Sequence, residues 1–458
     1  MSISGPVGHG LQLAPFRALR YVPERVGSLA AVTSPPYDVV VRPDGLRELE
    51  TADPYNIVRL ILPRADTPAE RNRRAAETMR RWQDEGVLAP DPEPALYVYE
   101  QRVHDQQHGD IMQRGLIGAL RLSPREEGVV LPHEEVMPHV VEDRAQLMRA
   151  TGAHLEPLLL AYRGNGPTPA EEAVGGHAAP TGAAPAPGAA RIIERAATRE
   201  PLLSTTTEDG VRHVLWRVSD PDEIAEITAD LAQHVALIAD GHHRWATYLR
   251  LRAEHPEPGP WDFGLVLLVD TARYPLRVRA IHRLLHLLPP STALDAIGRA
   301  FRVRTVDGPL PRALAALDAA AADGARAGTA PFGGSAFLLA GEGRFHLLDR
   351  PDPELLARTV PADRPAAWRT LDATVLHSVL LEHLWQVPDA PAHIGYIHDA
   401  AAAVAQADRH GGTAVLLRPV SEDVVHDLAR QGVAMPHKST SFGPKPATGL
   451  VLRSLALG

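Results

Sequence analysis

The chain has 458 residues, of which 45% are hydrophobic and 22% charged, and its formal net charge is −9. This length predicts two or three domains, and the composition is typical of a globular protein. The acidic charge argues against a general nucleic-acid binder, because it supplies no basic face. The sequence contains no cysteine, which excludes disulfides, thiolate nucleophiles and cysteine-based zinc sites.

Targeting and membrane signals are missing from the sequence. The N-terminus lacks the pattern of a signal peptide, and no apolar run reaches the roughly 18 residues of a membrane helix. We therefore expect a cytoplasmic protein without a membrane partner. The sequence leaves a homo-oligomer open.

The first part of the chain alternates short apolar strands with helical segments. Residues 1–14 are glycine-rich and predicted to be frayed. A helix is predicted at residues 69–85, with strands at 95–101 and 116–122. Residues 164–190 are dominated by Gly, Ala and Pro, which indicates a flexible insertion.

The second part of the chain has a strand–helix–strand order. A strand at 211–218 precedes a helix that Ser219 is predicted to cap and that runs to about residue 234. A strand at 235–239, a helix from Trp245 and a strand at 263–269 then favour a mixed or parallel α/β sheet. Later predictions are helices at 311–322 and 371–384, a hairpin of 336–339 with 345–348, strands at 393–397 and 414–417, and a final strand at 449–452.

These breaks in composition predict a multi-domain α/β protein with a mixed (α+β) sheet. The expected segments are an N-terminal α/β domain at 15–163, the flexible insertion at 164–190, a central α/β segment at 191–300 and a C-terminal α/β segment at 301–458.

The strongest candidate site is the run Asp240-Gly241-His242-His243-Arg244, between a strand and a helix. Such a junction aims free backbone N–H groups and the positive end of the helix dipole at one spot, which suits phosphate. Tandem histidines seldom bind one metal, because their side chains point in different directions. We expect one imidazole to face the ligand and the other to be structural.

Three further segments are dense in reactive side chains. Pro35-Pro36-Tyr37-Asp38 is a rigid turn that presents an acid. Pro132-His133-Glu134-Glu135 offers Glu134 as a general base or metal ligand, although Met137 stands where a zinc-protease helix needs its second His. The run from Met435 to Lys445 contains Lys438, Ser439, Thr440 and Lys445, which suit phosphate, but it is not a Walker loop because His437 replaces the required glycine.

These four segments, in this order, resemble the DUF1015 family of bacterial and archaeal proteins, once labelled an HpaII-type family. The motifs that carry the resemblance are Pro15-Phe16-Arg17-Ala18-Leu19-Arg20, Pro35-Pro36-Tyr37-Asp38, Pro132-His133-Glu134, Asp143-Arg144, Ala239 to Arg244 and Met435 with Lys438-Ser439-Thr440. Phe442, Pro444-Lys445 and Gly449-Leu450-Val451 extend the last motif. His437 and Ser441 depart from the family pattern, and residues 164–190 are not family-like.

A local resemblance covers about 40 residues around the Asp240 motif. Asp-Gly-His-His-Arg is similar to the phosphate loop of the ParB/sulfiredoxin-like fold, which includes nucleotide-dependent kinases of free serine. The resemblance implies that Gly241, His243 and Arg244 cradle the phosphates of ATP or ADP. It also implies that Asp240 helps to place Mg²⁺ or the substrate hydroxyl.

The leading hypothesis is therefore a small-molecule phosphotransferase acting on a free hydroxyl-bearing metabolite such as serine. Arg244, Lys438 and Lys445 would offset phosphate charge, and His242 would be a further donor. Glu134 or Asp38 would accept the proton of the attacking hydroxyl. Two alternatives stay open: a metal-dependent phosphoester hydrolase with His133, Glu134, Asp240 and His242 as ligands, and a non-catalytic nucleotide sensor or ParB-like DNA partner.

Overall fold

The computed structural model describes residues 10–35, 45–105, 109–164, 188–326 and 334–458. Asp38 and most of the predicted insertion at 164–190 lie outside these residues. The strands of the described part are numbered here in chain order: β1 (Leu13–Ala14), β2 (Ala18–Tyr21), β3 (Leu88–Pro90), β4 (Leu96–Asp105), β5 (Gly109–Arg121), β6 (Val130–Leu131), β7 (Ala153–His154), β8 (Leu158–Tyr162), β9 (Leu203–Thr206), β10 (Arg212–Val218), β11 (Ala236–Asp240), β12 (Phe263–Asp270), β13 (Arg277–Arg279), β14 (His282–Leu285), β15 (Arg302–Val306), β16 (Phe337–Gly341), β17 (Arg344–Asp349), β18 (Ile394–Ile397), β19 (Thr413–Leu416), β20 (Ser441–Gly443) and β21 (Leu452–Ser454).

The helices of the described part are mostly short. The α-helices are Leu29–Val32, Gly45–Ala52, Val58–Ile61, Pro68–Asp84, Pro138–Thr151, Ala189–Ala196, Pro221–Leu231, His242–Glu254, Pro290–Ile297, Leu310–Arg326, Pro353–Thr359, Ala366–Arg369, Asp372–Val375, Ala400–His410 and Glu422–Arg430. A π-helical segment, Leu376–Leu384, continues the helix that starts at Asp372. No helix among these residues is long and apolar enough to span a membrane.

The chain divides into two compact units. Unit 1 is Met1–Leu276 together with Pro444–Gly458, and unit 2 is Arg277–Gly443. This division differs from the segments expected at 15–163, 191–300 and 301–458. The physical reason is strand pairing between distant parts of the chain: β10 pairs with β4, and β21 pairs with β2 and β7. Residues on both sides of the insertion therefore share one sheet.

Unit 1 is built on a mixed sheet in the order β6-β11-β8-β12-β5-β4-β10-β9, with β1 paired to β5. The central strands β8 and β12 are almost fully buried, which explains their continuous apolar sequences. A second sheet in the order β3-β2-β21-β7 brings the C-terminal strand into this unit. The mixed α/β fold predicted from the sequence is thus confirmed.

The strand–helix–strand segment around the Asp240 motif is not a parallel crossover unit. Strand β11 pairs antiparallel with β8, and β12 pairs parallel with β8, so β8 separates β11 from β12. The three strands are therefore neighbours in the order β11-β8-β12, and the helix His242–Glu254 joins two strands that run in opposite directions. Sequence order alone predicted the elements but not this pairing.

Unit 2 has a six-stranded antiparallel sheet in the order β15-β17-β16-β19-β14-β18 and a two-stranded ribbon of β13 with β20. The hairpin predicted near residue 341 is the pair β16 and β17. Apolar side chains pack on both faces of the sheet, from the π-helical segment on one side and from the helices Leu310–Arg326 and Ala400–His410 on the other. The ribbon holds the segment after Lys438 beside the start of this unit.

Several local predictions were wrong. Leu13 and Ala14 are not frayed, because they pair with β5 and Leu13 is buried. Asp220, not Ser219, caps the helix Pro221–Leu231, since its side chain accepts from the N–H groups of residues 222 and 223. The motif helix begins at His242 rather than at Trp245. The final strand lies at Leu452–Ser454, later than the predicted 449–452.

Candidate functional site

The candidate site of unit 1 begins where the buried strand β11 ends at Asp240. Gly241 follows with φ +99°, a left-handed conformation that glycine adopts without strain. A Cβ atom at this position would lie 2.9 Å from Cγ of Leu158 and 3.2 Å from Nε of Arg244. Both the backbone angle and the lack of space therefore require glycine at the start of the helix His242–Glu254.

Asp240 is held between two cationic side chains from distant parts of the sequence. Its Oδ1 lies 2.7 Å from Nζ of Lys445, and its Oδ2 accepts a hydrogen bond of 2.7 Å from Nη2 of Arg244. Burial raises the pKa of Asp240, but the attraction of Lys445 and Arg244 outweighs burial and lowers the pKa to about 2. The carboxylate is therefore ionised throughout the neutral range.

Arg244 is also fixed by the segment before β8. Its Nη1 donates to the carbonyl oxygen of Pro157 at 3.1 Å and lies 3.8 Å from Oε2 of Glu156. Glu156 is buried and accepts a hydrogen bond of 3.1 Å from the hydroxyl of Thr448. Sequence reasoning missed Glu156 and Thr448. The only signal for Glu156 was an acid standing between apolar residues at the start of a strand.

Lys445 reaches Asp240 because the C-terminal segment is tied to β4 and β5. The side-chain amides of Gln101 and Gln113 both donate to the carbonyl oxygen of Pro444, at 3.2 and 2.9 Å. On the other side of Lys445, the N–H of Ala447 donates to the hydroxyl of Tyr99 at 3.2 Å. These contacts fix the backbone on both sides of the lysine, so its ammonium group is held at the carboxylate.

Both histidines of the motif contact the loop that carries Glu134. Nε2 of His242 accepts from the N–H of His133 at 3.2 Å, and Nε2 of His243 accepts from the N–H of Met137 at 3.1 Å. Both rings therefore hold the same loop, and the division into one ligand-facing and one structural imidazole stays a prediction. Residues 132–137 form no helix.

The position of Glu134 follows from these contacts. Because Nε2 of His242 accepts a hydrogen bond, the ring proton resides on Nδ1, which lies 3.8 Å from Oε2 of Glu134. The side chain of Glu134 is a quarter exposed, whereas His242 is buried. Glu134 thus stands at the accessible side of the cluster, near the buried imidazole of His242.

The other predicted phosphate ligands are in unit 2. Lys438, Ser439 and Thr440 precede β20, and only Lys445 belongs to the segment that returns to unit 1. Their assignment to a nucleotide stays a prediction. Asp38 lies outside the described residues. Ser34, which precedes Pro35, exchanges two backbone hydrogen bonds with Thr448.

The hydrolase hypothesis required four ligands from unit 1. Among the described residues, no group of three or more His, Asp or Glu side chains is arranged to hold a metal ion. Asp240 is engaged by Lys445 and Arg244 instead, and His242 uses Nε2 for the backbone of His133. This arrangement is that of an ion-pair cluster.

Comparison with known proteins gives a family but no close relative. The model of the family described as "Protein of unknown function (DUF1015)" matches residues 13–374. A search of the curated proteins returns no match.

Similar solved structures are distant. A free serine kinase variant in complex with ADP is 14% identical, with a TM-score of 0.34, and the similarity covers 72% of this chain and 91% of that chain. A conserved hypothetical protein from Pyrococcus furiosus is also 14% identical, with a TM-score of 0.33 and coverage of 72% and 94%. SbnI with C-terminal truncation, from Staphylococcus aureus, is 10% identical, with a TM-score of 0.32 and coverage of 70% and 82%. Since the family model spans most of the sequence, the chain belongs to the DUF1015 family.

Proposed function

We propose that unit 1 binds the phosphates of ATP or ADP at the Asp240 motif and that the protein is a small-molecule phosphotransferase. The observation that carries the proposal is the meeting of Arg244 and Lys445 on Asp240 at the N-terminus of the helix His242–Glu254. Backbone N–H groups of the first turn and two cationic side chains are the groups that bind phosphate in proteins.

The ion pairs of this cluster are suited to exchange of partners. When phosphate oxygens arrive, Arg244 and Lys445 can donate to them, and the carboxylate of Asp240 is then released. The two cations and the acids Asp240, Glu156 and Glu134 carry one net negative charge, so the phosphates need further positive charge. A nucleotide that arrives with Mg²⁺ supplies it, and Asp240 would hold the ion, whose charge polarises the phosphate oxygens.

Glu134 is the candidate general base for the transfer step. The hydroxyl oxygen of the substrate forms a bond to the terminal phosphorus, and the bond from that phosphorus to the bridging oxygen of the nucleotide breaks. The proton of the hydroxyl passes to the carboxylate of Glu134, which lies 3.8 Å from Nδ1 of His242. A small alcohol such as serine is the substrate class that this chemistry fits.

Isothermal titration calorimetry of the full chain with ADP and ATP tests the binding step. We expect Mg²⁺-dependent binding, and in Lys445→Met an affinity lower by about tenfold or more, because a charge-assisted hydrogen bond is lost. Arg80→Met removes an exposed charge from the helix Pro68–Asp84 and is the matched control. If the wild-type chain binds neither nucleotide, the proposal fails.

Turnover separates a kinase from a sensor. Incubation of the nucleotide with serine and related alcohols is expected to consume nucleotide and yield a phosphate ester. Glu134→Gln should retain nucleotide affinity and lose about 10²- to 10⁴-fold in rate, since proton transfer is removed and phosphate contacts are kept. Nucleotide binding that no alcohol converts into product would instead indicate a sensor.

A further inference from the structure

Unit 2 contains a cavity of about 430 Å³ that the proposed phosphotransfer does not use. Four segments line it: the start of β14, the stretch from residue 367 to 373, the residues after β19, and the loop that precedes β20. Its volume lies in the range of roughly 300–1,000 Å³ that is usual for small-molecule sites. Its lining combines aliphatic side chains with the polar groups of Arg283, Asp372, Arg418, Lys438 and Ser439.

Arg283 places a buried positive charge in the wall of this cavity. Its side chain is fully buried, and its guanidinium donates to the carbonyl oxygens of Ile281, His437 and Lys438, at 2.5, 3.3 and 3.1 Å. Its Nε atom is buried without a hydrogen-bond partner among the described residues. Burial lowers the pKa of Arg283 to about 10, so the group is still charged at neutral pH.

The remaining contacts of Arg283 are with uncharged rings. Nη2 lies 3.0 Å from Nε2 of His377, and the guanidinium lies 4.7 Å from the ring centroid of Tyr396. Burial lowers the pKa of His377 to about 4, so this imidazole is neutral at pH 7. His377 belongs to the π-helical segment Leu376–Leu384, a rare geometry that is frequent at functional sites. The guanidinium of Arg283 thus contacts dipoles rather than a carboxylate.

The loop with Lys438 is fixed over the same cavity. The carbonyl oxygens of His437 and Lys438 accept from Arg283, and the hydroxyl of Ser439 donates to the carbonyl oxygen of Pro436. Lys438 has φ +55°, a left-handed conformation that is uncommon for a residue other than glycine. Such strain persists only where surrounding contacts impose it. Lys438 is one of the residues that line the cavity.

The acid of the cavity does not cancel this charge. Asp372 accepts from Nη2 of Arg418 at 2.8 Å, and this guanidinium also donates to the carbonyl oxygen of Gly334 at 3.1 Å. That pair is neutral as a whole. Arg283 and Lys438 remain, so the cavity wall carries an excess of two positive charges.

We propose that the cavity of unit 2 is a binding site for a small organic anion, a carboxylate or phosphate ester with a compact, partly apolar body. Lys438 and the Arg283 charge attract the anionic group, and the aliphatic wall covers the body. This site is independent of the phosphotransfer proposed for unit 1. It assigns Lys438 to a different ligand from the nucleotide that the sequence motif suggested.

The sequence permits a direct test, because Lys438 and Lys445 are its only two lysines. Full-length protein labelled with ¹³C at lysine Cε gives one NMR signal from each unit, and Lys→Arg variants assign them. Succinate, inorganic phosphate and glycerol phosphate are titrated in turn. We expect at least one of them to shift the Lys438 signal saturably while the Lys445 signal does not move. The tighter of the carboxylate and phosphate probes identifies the anionic group, and neutral succinamide should cause no shift.

A substitution measures the strength of the contact. Lys438→Met is expected to lower the affinity for the responding anion by about tenfold. Arg409→Met, which removes an exposed charge at the end of the helix Ala400–His410, should leave it unchanged. The proposal is overturned if no anion shifts the Lys438 signal, or if Lys438→Met binds like Arg409→Met. It is also overturned if ADP shifts the Lys438 signal and binds more weakly to Lys438→Met than to the wild type. The loop would then belong to the nucleotide site.

Discussion

The two units differ in whether a buried charge is paired with a side chain of opposite charge. In unit 1, the carboxylate of Asp240 is paired with Lys445 and Arg244. In unit 2, Arg283 is buried against carbonyl oxygens and a neutral imidazole, and no carboxylate of the described residues forms an ion pair with it. In a paired cluster each charge is compensated within the unit. An unpaired charge costs desolvation and favours a ligand of opposite sign.

An Asp→Asn substitution in each unit gives the largest expected difference in stability. Asp240→Asn leaves Lys445 and Arg244 without their carboxylate, and we expect unit 1 to lose about 3 kcal/mol of stability at pH 7. Asp372→Asn should change unit 2 by less than about 1 kcal/mol, because burial raises the pKa of Asp372 to about 6 and its ionised form is already disfavoured. Hydrogen exchange of peptides from each unit measures both values. Equal losses would contradict the contrast.

Two glycines test how closely the unit 1 site is packed. Gly241→Ala meets both a positive φ and a contact of 2.9 Å to Leu158, so we expect a loss of about 2–3 kcal/mol. Gly411, after the helix Ala400–His410 of unit 2, has φ +75° and open space around it. Gly411→Ala should therefore lose only the conformational part, about 1 kcal/mol. A similar loss in both variants, by urea unfolding, would show that the close approach to Leu158 is unimportant.

Lowering the pH should decrease the stability of unit 1 and increase the stability of unit 2. The folded pKa of Asp240 is lowered to about 2, so its contribution, on the order of 2 kcal/mol, is present above pH 4 and lost as pH falls towards 2. The folded pKa of Asp372 is raised to about 6, so its contribution is present below pH 4 and lost as pH rises through 6. Exchange-based stability of each unit against pH, with each Asp→Asn variant as control, should show these opposite slopes.

Substitution of the two lysines gives the smallest expected difference in stability between the units. Lys445→Met removes one of two partners of Asp240, and we expect unit 1 to lose about 1–2 kcal/mol, since Arg244 still compensates the carboxylate. The side chain of Lys438 is exposed, so Lys438→Met should change unit 2 by no more than about 0.5 kcal/mol. Chemical denaturation checks both. A large loss from Lys438→Met would show that this lysine is structural.

Local pattern predicted much of the fold. The long helix at 69–85, the strand at 211–218, the hairpin near 341 and the helix at 311–322 all have a strong local signal, and each is found within a few residues. Errors fell where tertiary contacts override local pattern. Leu13 and Ala14 are ordered only by pairing with β5, and β11 and β12 are separated only because β8 lies between them.

The sequence by itself determined that Asp240 to Arg244 stand at a strand–helix junction and that the lysines lie near the C-terminus. It also determined the mixed α/β class and the family. Only the tertiary structure decided that Lys445 reaches Asp240, that Lys438 lines a cavity in unit 2, and that both motif histidines hold the Glu134 loop. These contacts join segments far apart in the chain, and they depend on how strands β4, β5 and β21 pair. Strand pairing is a property of the whole fold, and local periodicity does not encode it.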